Sequence, residues 1–249
     1  MLNISLNTDT EWFFGVSFNE TAVSTESANV PLAAQYAAEI LGTHLKGLQI
    51  GNEPDLYTDH QKRPAGWTAV NYVSEFGQTA DDIISQAPAV AAVEPLFMGP
   101  SLCCDRDGFL FPDIMNAGWL DAHRDTISAI TVQRYPQNNC GIDGKVTNPQ
   151  DIFYMYLNHT SAESLTAQYL DTAHIATDAN KQLVMMEMNT ASCGGFPGLS
   201  DSFGAAMWAA DWSLQLATYN FTTVLMHVGG QNVYYNVSPV SLKQMRWDS

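Results

Sequence analysis

Six short apolar runs, bounded by turn residues and separated by segments of helical spacing, constrain this chain more than any other feature. They are Glu11 to Phe18, Leu45 to Ile50, Leu96 to Pro100, Ile127 to Tyr135, Gln182 to Glu187 and Phe221 to Val228. Helical periodicity predicts helices over Pro31 to Leu41, about Ala69 to Ser85, Phe111 to His123, Ala162 to Asn180 and about Ser202 to Tyr219. A polar loop is expected from Gln137 to about Thr160. Strands that alternate with helices favour a parallel sheet, because a parallel pair needs a crossover of a dozen or more residues. The expected fold class is α/β, a (β/α)8 TIM barrel present in about six of its eight units. An open doubly wound sheet is the alternative.

Charge and composition narrow the function classes. The chain of 249 residues carries a formal charge of −16 with a pI near 4.4, so nucleic acid and anionic membranes would repel it. Apolar residues make up 46% and charged ones only 14%, a balance that builds a core and argues against disorder. No apolar run is long enough to predict membrane insertion. The four cysteines, Cys103, Cys104, Cys140 and Cys193, do not form a paired metal pattern. Neither metal nor cofactor is therefore expected. Cys104–Cys140 or Cys103–Cys140 is the expected bridge, and the adjacent pair is not expected to bond. The first residues lack the form of a signal peptide, whereas sequons at Asn3, Asn19, Asn158, Asn220 and Asn236 point to a secreted, extracellular protein.

The candidate chemistry lies at two strand ends. The run Leu45 to Ile50 stops at Gly51 and opens into Asn52-Glu53-Pro54-Asp55. Pro54 cannot continue a ladder, which leaves Glu53 at the strand's end. Glu187 closes another apolar run, where an isolated carboxylate is costly unless it is paired or functional. If both strands belong to one barrel, the two carboxylates share a mouth. Glycoside hydrolysis with retention uses two carboxyls about 5–5.5 Å apart, one as nucleophile and one as acid/base.

Three segments, GLQIGNEPDLY, EMNTASCGGFPGLSDSFGAAMWAADWSLQLA and VLMHVGGQNVYYN, together resemble the fungal β-glucuronidase branch of glycoside hydrolase family 79, a family that more distantly includes heparanase. The resemblance runs from the first strand to about Asn236. It implies Glu53 as acid/base, Glu187 as nucleophile, and a glucuronic-acid-containing carbohydrate as substrate. It also implies that Asn52 bonds the sugar 2-hydroxyl and that Tyr135 holds the nucleophile ionised. Gly194 and Gly195 would receive the uronic carboxylate through backbone N–H groups. Tyr234, or with less support Tyr235, would complete that carboxylate site.

The chain departs from the pattern at Gln133-Arg134, where a histidine is expected before the tyrosine, and at Met188 after the nucleophile. Residues 1–249 are expected to form one partial-barrel catalytic domain, without the family's first two β/α units or its C-terminal β-sandwich. Two other readings stand beside the first: a catalytically inactive carbohydrate-binding remnant, and a β-glucosidase-type retaining enzyme with no use for a carboxylate receptor. Oligomeric state is not legible.

Overall fold

The computed structural model describes residues 2–18, 29–93, 95–141, 144, 146–229 and 234–235. Six strands, β1 (Trp12–Val16), β2 (Leu45–Ile50), β3 (Phe97–Leu102), β4 (Ile127–Arg134), β5 (Gln182–Met188) and β6 (Phe221–Met226), form one sheet in chain order. The pairings of β1 with β2, β2 with β3 and β3 with β4 are parallel, and helices fill each connection. This is the topology of six consecutive β/α units of a (β/α)8 barrel. The central strands β2, β3 and β4 were legible because both faces of a parallel sheet are covered there, which turns each into a nearly continuous apolar run.

Ten helices occur among the described residues: α1 (Leu2–Thr8), α2 (Asn29–Leu41), α3 (Ala69–Gln86), α4 (Pro88–Ala91), α5 (Phe111–Asn116), α6 (Trp119–His123), α7 (Pro149–Tyr156), α8 (His159–Ala167), α9 (Leu170–Asp178) and α10 (Phe203–Ala217). Three expectations are corrected. The helix read over 111–123 is two, because Gly118 at φ +89° breaks it. The helix read over 162–180 is also two, α8 and α9. The loop expected over 137–160 contains α7, started by Pro149 at its first turn and capped by Asn148, whose side chain accepts from the Gln150 amide.

The chain divides into two compact units, Met1–Gln133 with Ile175–Val184, and Arg134–His174 with Met185–Ser249. In the first, α3 lays Tyr72, Phe76, Ala80 and Ile83 against the core beside Phe18, Trp67, Phe109 and Trp119. Burying one such large apolar side chain contributes about 1.5–3 kcal/mol. Arg63 lies among the rings of Phe18, Tyr57 and Trp67 and pairs with Glu75 at 2.8 Å. In the second unit, α10 buries Trp208, Trp212 and Leu216. The indole N–H of Trp212 finds the Thr166 hydroxyl at 3.2 Å, and the Tyr156 hydroxyl donates to the Thr190 carbonyl at 2.6 Å.

Candidate active site

Glu53 belongs to the first unit. β2 is followed by Gly51, at φ +79°, where a Cβ would come within 2.9 Å of the Phe18 side chain, so only glycine makes this exit. Glu53 is itself left-handed, at φ 50° and ψ 56°, immediately before Pro54 starts a single 3-10 turn. Proline favours an extended conformation for the residue before it, so the left-handed backbone of Glu53 is not what Pro54 alone dictates. Such a conformation costs a non-glycine residue about 1–2 kcal/mol. The Glu53 amide donates to the Ser101 carbonyl at 3.2 Å, which ties the turn to the end of β3.

Asn52 is oriented by two amides. Its Oδ1 accepts from Gln133 Nε2 at 2.6 Å and from Gln49 Nε2 at 3.2 Å, which leaves its NH2 group as the donor it offers outward. Gln49 also donates to the Ser101 hydroxyl at 3.1 Å, and that hydroxyl meets Thr131 Oγ1 at 2.7 Å. This buried polar ladder crosses β2, β3 and β4. Its signal in the sequence was four polar side chains inside otherwise apolar strands.

Asp55, the last residue of the Asn-Glu-Pro-Asp segment, is buried, and its carboxylate accepts from the amides of Cys103 (3.2 Å) and Cys104 (2.8 Å). Burial pushes its carboxyl above the ordinary range, and the two amides pull it back only in part. Cys103 and Cys104 are bonded to each other, with Cα atoms 3.7 Å apart, and Cys140 is bonded to Cys193. Both outcomes overturn the expected bridges from Cys140 to Cys103 or Cys104. Cys140 instead meets the loop after β5: the Asn138–Ser192 bridge aligns the two segments, and the Cys140 and Cys193 Cα atoms lie 5.1 Å apart, within disulfide reach. A carboxylate oxygen of Glu53 and the sulfurs of Cys103 and Cys104 all lie within 4.8 Å of one another. Joined in a disulfide, those sulfurs present no thiolate to a cation.

Glu187 belongs to the second unit, one residue before the end of β5. Its Oε1 is 2.6 Å from the Tyr135 hydroxyl, which donates, and 2.9 Å from His227 Nδ1. The hydroxyl and Nδ1 are themselves 2.6 Å apart. Tyr135 has one proton, and it goes to Glu187, so Nδ1 must carry the hydrogen that serves the other two contacts. His227 was missed in the sequence, although it follows β6 directly within the conspicuous HVGG segment. Its amide donates to the Met188 carbonyl at 2.9 Å, and its carbonyl accepts from Asn189 at 2.8 Å, which fixes it beside the end of β5.

After β5 the chain turns through three consecutive left-handed residues, Cys193 (φ 58°), Gly194 (φ 92°) and Gly195 (φ 79°). A Cβ on Gly195 would fall 2.6 Å from Ser200 Oγ and 2.7 Å from the Tyr235 ring. The Gly194 carbonyl accepts from the Tyr234 amide at 2.7 Å and the Gly195 carbonyl from Asn139 at 2.8 Å. Both carbonyls are thus engaged, and the Gly194 backbone also bonds the Tyr235 hydroxyl. Tyr234 is 42% exposed while Tyr235 is 9% exposed, with its ring 5.8 Å from that of His227. The inward tyrosine is therefore Tyr235, which revises the expectation that favoured Tyr234. Burial pushes the Tyr235 hydroxyl above its ordinary range, the Gly194 backbone pulls it back in part, and the charge of Glu187 adds to the rise. Of GGQNVYYN, residues 230–233 and 236 lie outside the described residues.

Known proteins match both the sequence and the fold. A β-glucuronidase of Aspergillus niger is 31% identical over 223 residues, covering 85% of this chain and 39% of the relative. A β-glucuronidase of Neurospora crassa is 26% identical, with 85% and 38% covered. The chain is β-glucuronidase-like in sequence. A 4-O-α-L-rhamnosyl-β-D-glucuronidase of Fusarium oxysporum superposes with a TM-score of 0.75 at 19% identity, covering 94% of this chain and 47% of that one. At that identity the likeness is one of fold. The chain thus spans about two fifths of the length of the curated relatives it matches. No family model matches it.

Proposed function

We propose that the protein containing this chain is a retaining glycoside hydrolase that removes β-linked glucuronic acid, with Glu187 as nucleophile and Glu53 as acid/base. One observation carries the reading: Glu187 has one oxygen held by Tyr135 and His227, and its charge is felt at Tyr235, which packs on the left-handed turn at Gly194-Gly195. In this mechanism Glu187 Oε2 attacks the anomeric carbon while Glu53 gives its proton to the leaving oxygen. Water, deprotonated by Glu53, then cleaves the glycosyl ester. Asn52 donates its NH2 to the sugar 2-hydroxyl. The backbone donors of Gly194 and Gly195, with the Tyr235 hydroxyl, receive the uronic carboxylate; backbone N–H groups suit an anion and add no competing cation. The β-glucuronidase names of the relatives support the substrate class.

Two disulfides and exposed sequons at Asn3, Asn158 and Asn220 support a secreted setting for this enzyme. The acidic charge supports a carbohydrate substrate over a nucleic acid or a membrane surface.

The test is hydrolysis of nitrophenyl β-glucuronide by the complete protein, compared with the matching β-glucoside. Glu187→Ala should abolish turnover. Glu53→Ala should spare activated aryl glucuronides, and added azide should yield a glucuronyl azide of β configuration. Preference for the glucoside would transfer the site to a neutral-sugar enzyme. Binding of glucuronide without turnover would support the carbohydrate-binding remnant.

A further inference from the structure

We propose that the Cys103–Cys104 disulfide, seated on the buried carboxylate of Asp55, is a positioning element for the acid/base Glu53; this inference rests on the role given to Glu53 above. An acid/base glutamate must hold its carboxyl within about 0.5 Å of the productive position, and three side-chain torsions work against that. The Glu53 amide is tied to Ser101, its backbone is left-handed, and both sulfurs of the disulfide sit beside its carboxylate.

The exit of β3 is shaped for this contact and not merely for reversing the chain. Ser101 (φ 57°) and Asp105 (φ 50°) flank the cysteines, and both are left-handed non-glycine residues. Strained backbone of this kind persists only where surrounding contacts enforce it. Here the enforcing group is Asp55, 6% exposed, whose carboxylate takes the amides of both cysteines. Hiding a carboxylate to hold an ordinary turn would be an expensive solution. Asp55 also lies two residues from Glu53, across Pro54, so one short turn sets the catalytic carboxyl and the sulfur wall together.

The chemistry of the wall suits its neighbour. A disulfide has no S–H group, so it cannot donate a hydrogen bond to the Glu53 carboxylate or compete for the proton Glu53 transfers. It also carries no charge. Cys104 is exposed whereas Cys103 is buried, so the wall is anchored at its Cys103 end.

The experiment measures kcat/KM of the complete protein for a series of aryl and alkyl β-glucuronides of graded leaving-group ability. The variants are Cys103→Ser with Cys104→Ser, Asp55→Asn, and Glu53→Ala as reference. Melting temperatures are recorded for each, and Asp55→Asn serves if the double variant does not fold. General acid catalysis supplies about 10²–10⁴-fold, so a mispositioned acid should lose about ten-fold or more on alkyl glucuronides and about two-fold or less on dinitrophenyl glucuronide. A loss equal across the series, or none, overturns the proposal. A flat series for Glu53→Ala overturns the assignment of Glu53 itself, a different failure.

Discussion

The Tyr135 hydroxyl and the Glu187 carboxylate meet at 2.6 Å, between a residue just past β4 and one at the end of β5, 52 positions apart in the chain. Since His227 also spends its Nδ1–H on the same oxygen, Tyr135→Phe and His227→Phe each remove one donor from the proposed nucleophile. Hydrogen bonds to charged groups contribute about 1.5–3 kcal/mol, so kcat should fall by about ten- to a hundred-fold for each variant. The double variant should lose less than the product of the two, because the groups also bond each other. Kinetics within about two-fold of the parent would remove Tyr135 and His227 from the site.

Gly195→Ala tests the carboxylate receptor. The new methyl would overlap Ser200 and Tyr235 at a positive φ, so the turn must shift. KM for a glucuronide should rise at least about ten-fold, the scale of one hydrogen bond to a charge. Any weak glucoside hydrolysis should change far less. Equal effects on both substrates would mean that the turn is structural.

Cys140 and Cys193 close a loop across 53 positions, which in the chain-entropy view stabilises the fold by about 4 kcal/mol. Replacing both by serine should lower the unfolding free energy from urea titration by up to about 4 kcal/mol, read as a lower midpoint at unchanged slope. The hydrogen bonds of Asn139 and Ser192 across the same two segments would limit the loss. An unchanged midpoint would show that those backbone contacts suffice.

Arg63 has a side chain only 1% exposed, between three aromatic rings and Glu75, and its NH2 donates to the Phe18 carbonyl at 2.9 Å. Arg63→Ala removes one member of a buried ion pair and should cost about 3–5 kcal/mol in equilibrium unfolding. A cost below about 1 kcal/mol would refute this account of the first unit's core.

Asp55 sets a pH dependence of known sign. Its folded pKa is raised from an ordinary value of 3.8, chiefly by burial. The fold therefore favours its protonated form. That contribution is complete below the unfolded pKa and is lost as pH rises through the folded value. Asp55→Asn lacks this loss. Its melting temperature relative to the parent should therefore improve from about pH 3 to about pH 7. A difference that is constant with pH, or that worsens on raising it, would contradict the sign.

The central strands were legible because they are covered apolar runs, and β2 was read at Leu45–Ile50, where the structure has it. The break at Gly118 was not, since it acts through a local backbone choice that periodicity does not register. Glu53 and Glu187 stood out as carboxylates closing apolar strands. His227 did not, because its partner Tyr135 is 92 positions away and a histidine after a strand has many ordinary uses. The pairing of Cys103 with Cys104 was hidden for a related reason: the carboxylate that turns the chain there, Asp55, lies on another connection. Tyr234 and Tyr235 could not be told apart by pattern, since neighbours differ only in the direction the backbone gives them.

The ladder of Gln49, Ser101 and Thr131 has a consequence for how the sheet finds its alignment. Strands apolar on both faces can slide by one residue and still bury oily side chains, so hydrophobicity specifies their phase poorly. Gln49 reaches Ser101 and Ser101 reaches Thr131 only in one alignment of β2, β3 and β4. Any slip would strand at least one polar group in the core at a cost of about 1–3 kcal/mol. The ladder thus acts as a key for strand alignment, and Ser101→Ala with Thr131→Val should leave a sheet of ordinary stability that misaligns more often while folding.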